Sequence, residues 1–178
     1  MNDIVYLLDL FHREVPHVNF EFGVARLSQG NIWDFGDWDH EAVVLPIELE
    51  ESGKKHYIPI VIHNHPYSTS PFPSPDDFET LAKCGVEYGI VTNDIGTFIV
   101  KNPNYLENKI SFGDIKKDME HIRVNMTGDF KKEFGEKYDE NNTNHNKKIN
   151  KMIYENHDKY FKQYQNVAEK YGMKVIFI

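Results

Sequence analysis

The stretch YIPIVIHNHPYSTSPFPSPDDFETLAKCGVEYGIVTN, residues 57–93, decides how this chain is read. It opens on an apolar run that ends at Ile62 and is apolar on both faces, the pattern of a strand in the middle of a sheet. Pro59 has no amide hydrogen to give to a ladder, so the start of that strand is expected at an edge or a bulge. Residues 64–75 form a loop with four prolines, Pro66, Pro71, Pro73 and Pro75. Ser74 then offers a helix N-cap, and Pro75 suits the first helical position. Acidic residues follow where the helix dipole is positive. This helix is expected over about residues 75–84 and ends at Gly85. EYGIVTN (87–93) and GTFIVK (96–101) read as a hairpin around Asp94.

Upstream, Asn2 can cap an amphipathic helix carrying Ile4, Val5, Leu7, Leu8 and Phe11, which Pro16 ends. VNFEFGVARL (18–27) alternates as a strand. SQGN (28–31) is a turn, and NIWDF (31–35) is the hairpin partner. AVVLPIEL (42–49) is a further strand candidate. Downstream, residues 110–171 are polar with helical periodicity. Ile149, Met152, Ile153, Tyr160, Tyr164, Val167, Ala168 and Tyr171 make one apolar stripe. DENNTNHNKK (139–148) reads as a linker between helices, and MKVIFI (173–178) as a terminal strand that adds to the sheet. The sum is an α/β (α+β) fold, a mixed β-sheet flanked by helices. Residues 1–102 form its core, and residues 103–178 a helical extension that ends in a short strand and packs on that core.

Composition sets limits. The chain has 178 residues, 40 % hydrophobic and 13 % aromatic, which suffices for a core without disulfide staples. Its 28 acidic and 20 basic residues give a net charge of −8, which argues against nucleic acid as a partner. Cys84 is the only cysteine, so no intramolecular disulfide forms. The first residues lack the basic and small-residue features of a signal peptide, and no apolar run approaches the length of a membrane span. The expected location is cytoplasmic, or reached by an export route without a recognisable signal. Nothing in the sequence sets the oligomeric state.

The chemistry concentrates at residues 63–77. In extended backbone, residues i and i+2 point the same way, so His63 and His65 can present two imidazoles to one ion. A zinc site needs a third protein ligand and, if catalytic, an open position for water. Asp77, in the first turn of the next helix, can supply that carboxylate. A bare HxH pair is more often a satisfied surface or loop feature than a ligand pair. The combination of a strand-terminal HNHP, a constrained loop and S-x-x-D at a helix start is far more specific. Cys84 reads as a small buried hydrophobe. Trp33, Trp38 and Phe35 can line a groove, but sheet packing is their default.

HNHP (63–66) and SPDD (74–77), with Glu21 in FEFGVARL (20–27), resemble the signature of the JAMM (MPN-plus, JAB-domain) zinc metalloproteases, most nearly its prokaryotic JAB and RadC-like members. The resemblance covers about residues 15–101. It implies a cytidine-deaminase-like architecture and one zinc per chain, held by His63, His65 and Asp77. It implies Glu21 as general base and Ser74 as hydrogen-bond donor to the oxyanion. The implied substrate is a protein or peptide amide bond, including the isopeptide bond of a ubiquitin-like conjugate. An effector or toxin role, with a regulatory or neutralising protein partner, belongs to the same resemblance. The spacing from His65 to Ser74 is one residue longer than the family's. Asp77 keeps the S-x-x-D spacing, whereas Asp76 restores the histidine-to-aspartate count and is the rival ligand. Glu14 is the alternative base. Family members that lack the metal ligands act as scaffolds, so a binding module is the competing class. Metal-dependent hydrolysis of a non-peptide bond is a third.

Overall fold

In a computed structural model of the protein, the described residues are 22–30, 32–36, 58–65, 72–93, 96–105, 112–135 and 143–178, with Val5, Tyr6, Asp9 and Phe11. These four N-terminal residues are helical, as their spacing suggests. Glu14, Glu21, Trp38 and the expected strand at 42–49 lie outside the described residues.

The strands are β1 (Phe22–Arg26), β2 (Ile32–Gly36), β3 (Ile58–Asn64), β4 (Val86–Thr92), β5 (Thr97–Lys101) and β6 (Lys174–Phe177). The helices are α1 (Pro75–Lys83), α2 (Phe112–Phe134), α3 (Thr143–Glu155) and α4 (His157–Lys170). The strands form one mixed sheet in the order β2-β1-β3-β4-β5-β6. Among the described strands only β3 and β4 run parallel, because α1 returns the chain between them. The other neighbours are antiparallel, and the terminal strand β6 joins the sheet against β5.

The apolar run at 58–62 is therefore central, flanked by β1 and β4. Pro59 finds its place because pairing with β1 reaches only as far as Ile60, opposite Arg26. The missing amide hydrogen falls beyond the last rung on that side, so the strand is interior over most of its length and an edge only at its start.

Two apolar layers cover the sheet. On one face Val24, Ile60, Ile62 and Ile90 pack with Phe11 of the N-terminal segment. On the other, Ala25, Val61, Val91, Phe98 and Val100 belong to a larger cluster. That cluster takes in Phe78 and Leu81 of α1, Ile115 and Met119 of α2, Ile153 of α3, Tyr160 and Tyr164 of α4, and Val175 of β6. The extension thus shares its core with the first hundred residues. Burying these side chains contributes on the order of 1.5–3 kcal/mol each, which offsets the ordering of a long polar tail.

Local sequence explains the ends of α1. Ser74 accepts a hydrogen bond from the Asp77 amide, while the Asp77 carboxylate accepts one from the Ser74 amide at 2.6 Å, a reciprocal capping box. At the far end Gly85 takes φ +62°, the left-handed conformation that releases the chain into β4. Buried Asn102 donates to the Leu81 carbonyl, satisfying one of the acceptors a helix end leaves open.

One sequence reading needs correction and another refinement. Residues 143–148 are not linker, because α3 begins at Thr143. The buried anchors Ile149 and Ile153 draw the polar run before them into the helix, with Lys147 and Lys148 on its exposed side. Trp33 sits in the sheet on β2, opposite Ala25, but on its open side: it is 39 % exposed, beside an exposed Ile32. Among the described residues, no helix is long and apolar enough to cross a membrane.

Candidate metal centre

The site forms where β3 loses its apolar character. His63, Asn64 and His65 stand at its carboxyl end, the end at which parallel strands carry ligand sites. His63 and His65 share the face of Val61, which looks toward α1, and both are buried. The His65 amide donates to the Thr92 carbonyl at 2.9 Å, extending the β3–β4 ladder past the last strand residue. Asn64 points away and accepts the Phe22 amide at 2.6 Å. With Gly23 opposite His63, that bond fixes the beginning of β1 beside the two histidines.

Asp77 arrives from the first turn of α1. Its Oδ1 lies 3.2 Å from His63 Nε2, and its Oδ2 lies 3.7 Å from His65 Nε2. The two Nε2 atoms are 3.2 Å apart. One donor atom from each of the three residues lies within 4.8 Å of the others, the only such group of metal-capable side chains among the described residues. The two 3.2 Å separations are close to those of a tetrahedral ion, and the 3.7 Å contact, made by the other carboxylate oxygen, is longer. With zinc–nitrogen bonds of about 2.0–2.1 Å, tetrahedral ligand atoms stand roughly 3.3–3.4 Å apart. Without an ion the contact between the two Nε2 atoms is a hydrogen bond in which the tautomer decides which ring donates; an ion would take the place of that proton between the two nitrogens.

The capping box serves the same end. It occupies Oδ2 of Asp77 with the Ser74 amide and leaves Oδ1 toward His63. Burial alone would push the Asp77 carboxyl up, but the charge and hydrogen bonds of His63 and His65 outweigh it. They hold the acid well below the usual carboxylate range. Once the imidazoles give up the protons behind that effect, as ligation requires, the donor set is two imidazole nitrogens and one carboxylate, a set that suits zinc and other first-row divalent ions.

The neighbouring acid is placed otherwise. Asp76 points outward, and its Oδ1 meets Lys116 of α2 at 2.5 Å. Lys116 also reaches Glu79 at 3.3 Å. The structure thus groups Asp77, and not Asp76, with the histidines. Ser74 is the N-cap, and its hydroxyl oxygen accepts from Asp77 while its own hydrogen stays free to donate. Glu21 lies outside the described residues. Cys84 is buried at the end of α1 as a small apolar group.

A small apolar cavity of about 40 Å³ includes His63 and Asp77 in its lining, with Val61, Leu81 and Val91. It has room for more than one water molecule, and the polar partners such water needs are His63 and Asp77. Tyr164 of α4 is buried close enough for the Asp77 charge to act on it. Burial first, then that charge, push its phenol well above the ordinary value, so it stays neutral.

Sequence reasoning missed Asn64, Thr92, Lys116 and Tyr164 as parts of this site. Asn64 had a signal, since a polar residue between two inward histidines on a central strand needs a buried partner. Lys116 lies 40 residues from Asp76 and had none. Searches against protein-family models, curated proteins and solved structures find no match to this chain.

Proposed function

We propose that the protein is a zinc-dependent peptidase or isopeptidase that hydrolyses an amide bond of a protein or peptide. The observation that carries this reading is the convergence of His63, His65 and Asp77 at the carboxyl end of a parallel strand pair. A triad of two imidazoles and one carboxylate leaves a fourth position open, the mark of catalytic rather than structural zinc sites. The HNHP and SPDD segments that supply the triad resemble the JAMM signature, which extends the reading from hydrolysis to amide bonds.

His63, His65 and Asp77 would hold the ion. When bound, zinc supplies Lewis-acid polarisation of a carbonyl and makes a nearby water acidic near neutral pH. Glu21 takes the role of general base, accepting the proton of the attacking water and passing it to the leaving amine. What supports this is the neighbouring backbone: Phe22, the next residue, is bonded to Asn64 between the two histidines. Ser74 donates its hydroxyl hydrogen to the developing oxyanion while its lone pair keeps the cap on α1. The cavity beside the donors has room for the attacking water, and its mostly apolar lining lowers the local dielectric around them.

The test is metal-dependent cleavage. Zinc-loaded protein is incubated with a peptide library and with ubiquitin-like conjugates, beside Glu21→Ala and His65→Ala. Cleavage by the parent and its loss in both variants is the expected result. Zinc binding without cleavage of any amide, together with stable capture of a protein, would replace the enzyme with a scaffold.

A further inference from the structure

We infer that Tyr164, on α4 of the C-terminal extension, is a positioning residue of the metal centre, its ring bracing the chain on both sides of Ser74 and Asp77. The inference rests on the reading of His63, His65 and Asp77 as a metal site.

Two phenylalanines bracket the segment that carries the third ligand. Phe72 lies two residues before Ser74, and Phe78 directly follows Asp77. Both rings are fully buried. Tyr164 stacks on Phe72 at 5.0 Å between centroids, with the planes 8° apart. It stacks on Phe78 at 6.1 Å and 21°. One ring from the extension therefore touches both ends of the Phe72–Phe78 segment, whose backbone Pro73 and Pro75 already stiffen. With interior packing this dense, Asp77 cannot shift toward or away from the histidines without repacking that stack.

The helix that carries Tyr164 is itself tied down on both sides. Lys159 and Tyr160 hold Asp129 of α2, and eleven residues on, Lys170 and Tyr171 hold Asp118. The two pairs of partners face each other along antiparallel helices, with Tyr164 between them. Groups that hydrogen-bond directly to a ligand typically contribute about 10–100-fold in metal affinity; Tyr164 acts one step further out, by packing on the residues that flank Ser74 and Asp77. Phe161 offers a control on the same helix, because it packs on Phe98 and Phe177.

The experiment uses the full chain, stripped with a chelator and titrated with zinc against a chromophoric competitor. The visible spectrum of the cobalt(II) form reports ligand geometry, and circular dichroism reports folding. Tyr164→Leu is expected to fold, to bind zinc at least tenfold more weakly, and to show an altered cobalt spectrum. Tyr164→Phe keeps the ring and is expected to bind as the parent does. Phe161→Leu is expected to lower the melting temperature with zinc affinity unchanged. Parent-like affinity and spectrum in Tyr164→Leu, or an equal loss in Phe161→Leu, would overturn the inference. If Tyr164→Leu does not fold, Phe72→Leu removes the other half of the stack. A zinc-affinity loss there, not shared by Phe161→Leu, supports the inference, and parent-like binding overturns it. A parent that takes up no zinc overturns the metal reading as well, which distinguishes the two failures.

Discussion

The carboxylates of this molecule do two kinds of work. Asp77 sits among buried imidazoles at the end of β3, and its acidity is set against the cost of burial. Asp118 and Asp129 on α2 are also held below the ordinary carboxylate range, but by lysines at the surface and by tyrosine hydroxyls. The first arrangement is compact and largely buried. The second is wet and screened, and it adjusts α4 on α2 without deciding whether the helices form. The difference teaches that pairing alone says little; burial determines what a charged side chain contributes.

The largest effect separating the two regions is expected from His65→Ala. Zinc affinity should fall by on the order of a thousandfold, and the melting-temperature rise on adding zinc should vanish while the circular dichroism spectrum stays the same. A variant that keeps its zinc-induced rise would break the distinction at its strongest point. Next comes the aromatic centre that both regions share. Phe98 is fully buried against Phe72, Phe161, Tyr164 and Phe177, so Phe98→Ala is expected to cost about 3–5 kcal/mol in denaturant unfolding. A loss below about 1 kcal/mol would show that the cluster is loosely packed.

Ser74 sharpens the comparison because it belongs to both structure and chemistry. As an N-cap alone, Ser74→Ala costs about 1 kcal/mol of stability, which Ser74→Thr should largely restore. As an oxyanion donor it also slows cleavage by about a hundredfold or more at saturating substrate. Equal small changes in both readouts would reduce Ser74 to the cap. The smallest effect belongs to the surface. Asp118→Asn is expected to cost a few tenths of a kcal/mol at neutral pH, less in high salt. Because the folded-state acid is depressed, its contribution is present above the unfolded value of about 3.9 and is lost as pH falls through the folded one. Parent and variant should therefore converge in acid, and a gap that widened there would contradict the assignment.

Much of the site was legible because its parts lie within fifteen residues of one another. The period-2 spacing of His63 and His65, the cap at Ser74 and the acidic first turn each follow from local rules, and each lands where those rules put it. The strand–helix–strand passage from β3 to β4 was equally plain, with Gly85 as its punctuation. What stayed hidden was long-range. The S-x-x-D spacing favoured Asp77, but nothing near Asp76 signals Lys116, so spacing left Asp76 standing as the rival. Tyr164 looked like one more member of an apolar stripe, since periodicity identifies a buried face but not what it is buried against. The start of α3 was missed for a related reason: polar residues at 143–148 look like a linker until Ile149 and Ile153 anchor them.

The claim on which the rest depends is that His63, His65 and Asp77 ligate a single divalent ion. X-ray absorption at the zinc edge of the zinc-loaded protein tests it most directly. Two imidazole shells with oxygen donors at about 2.0–2.2 Å and no sulfur, at one zinc per chain, are expected. Folded protein that retains no zinc, or a zinc whose surroundings hold no imidazole, would contradict it.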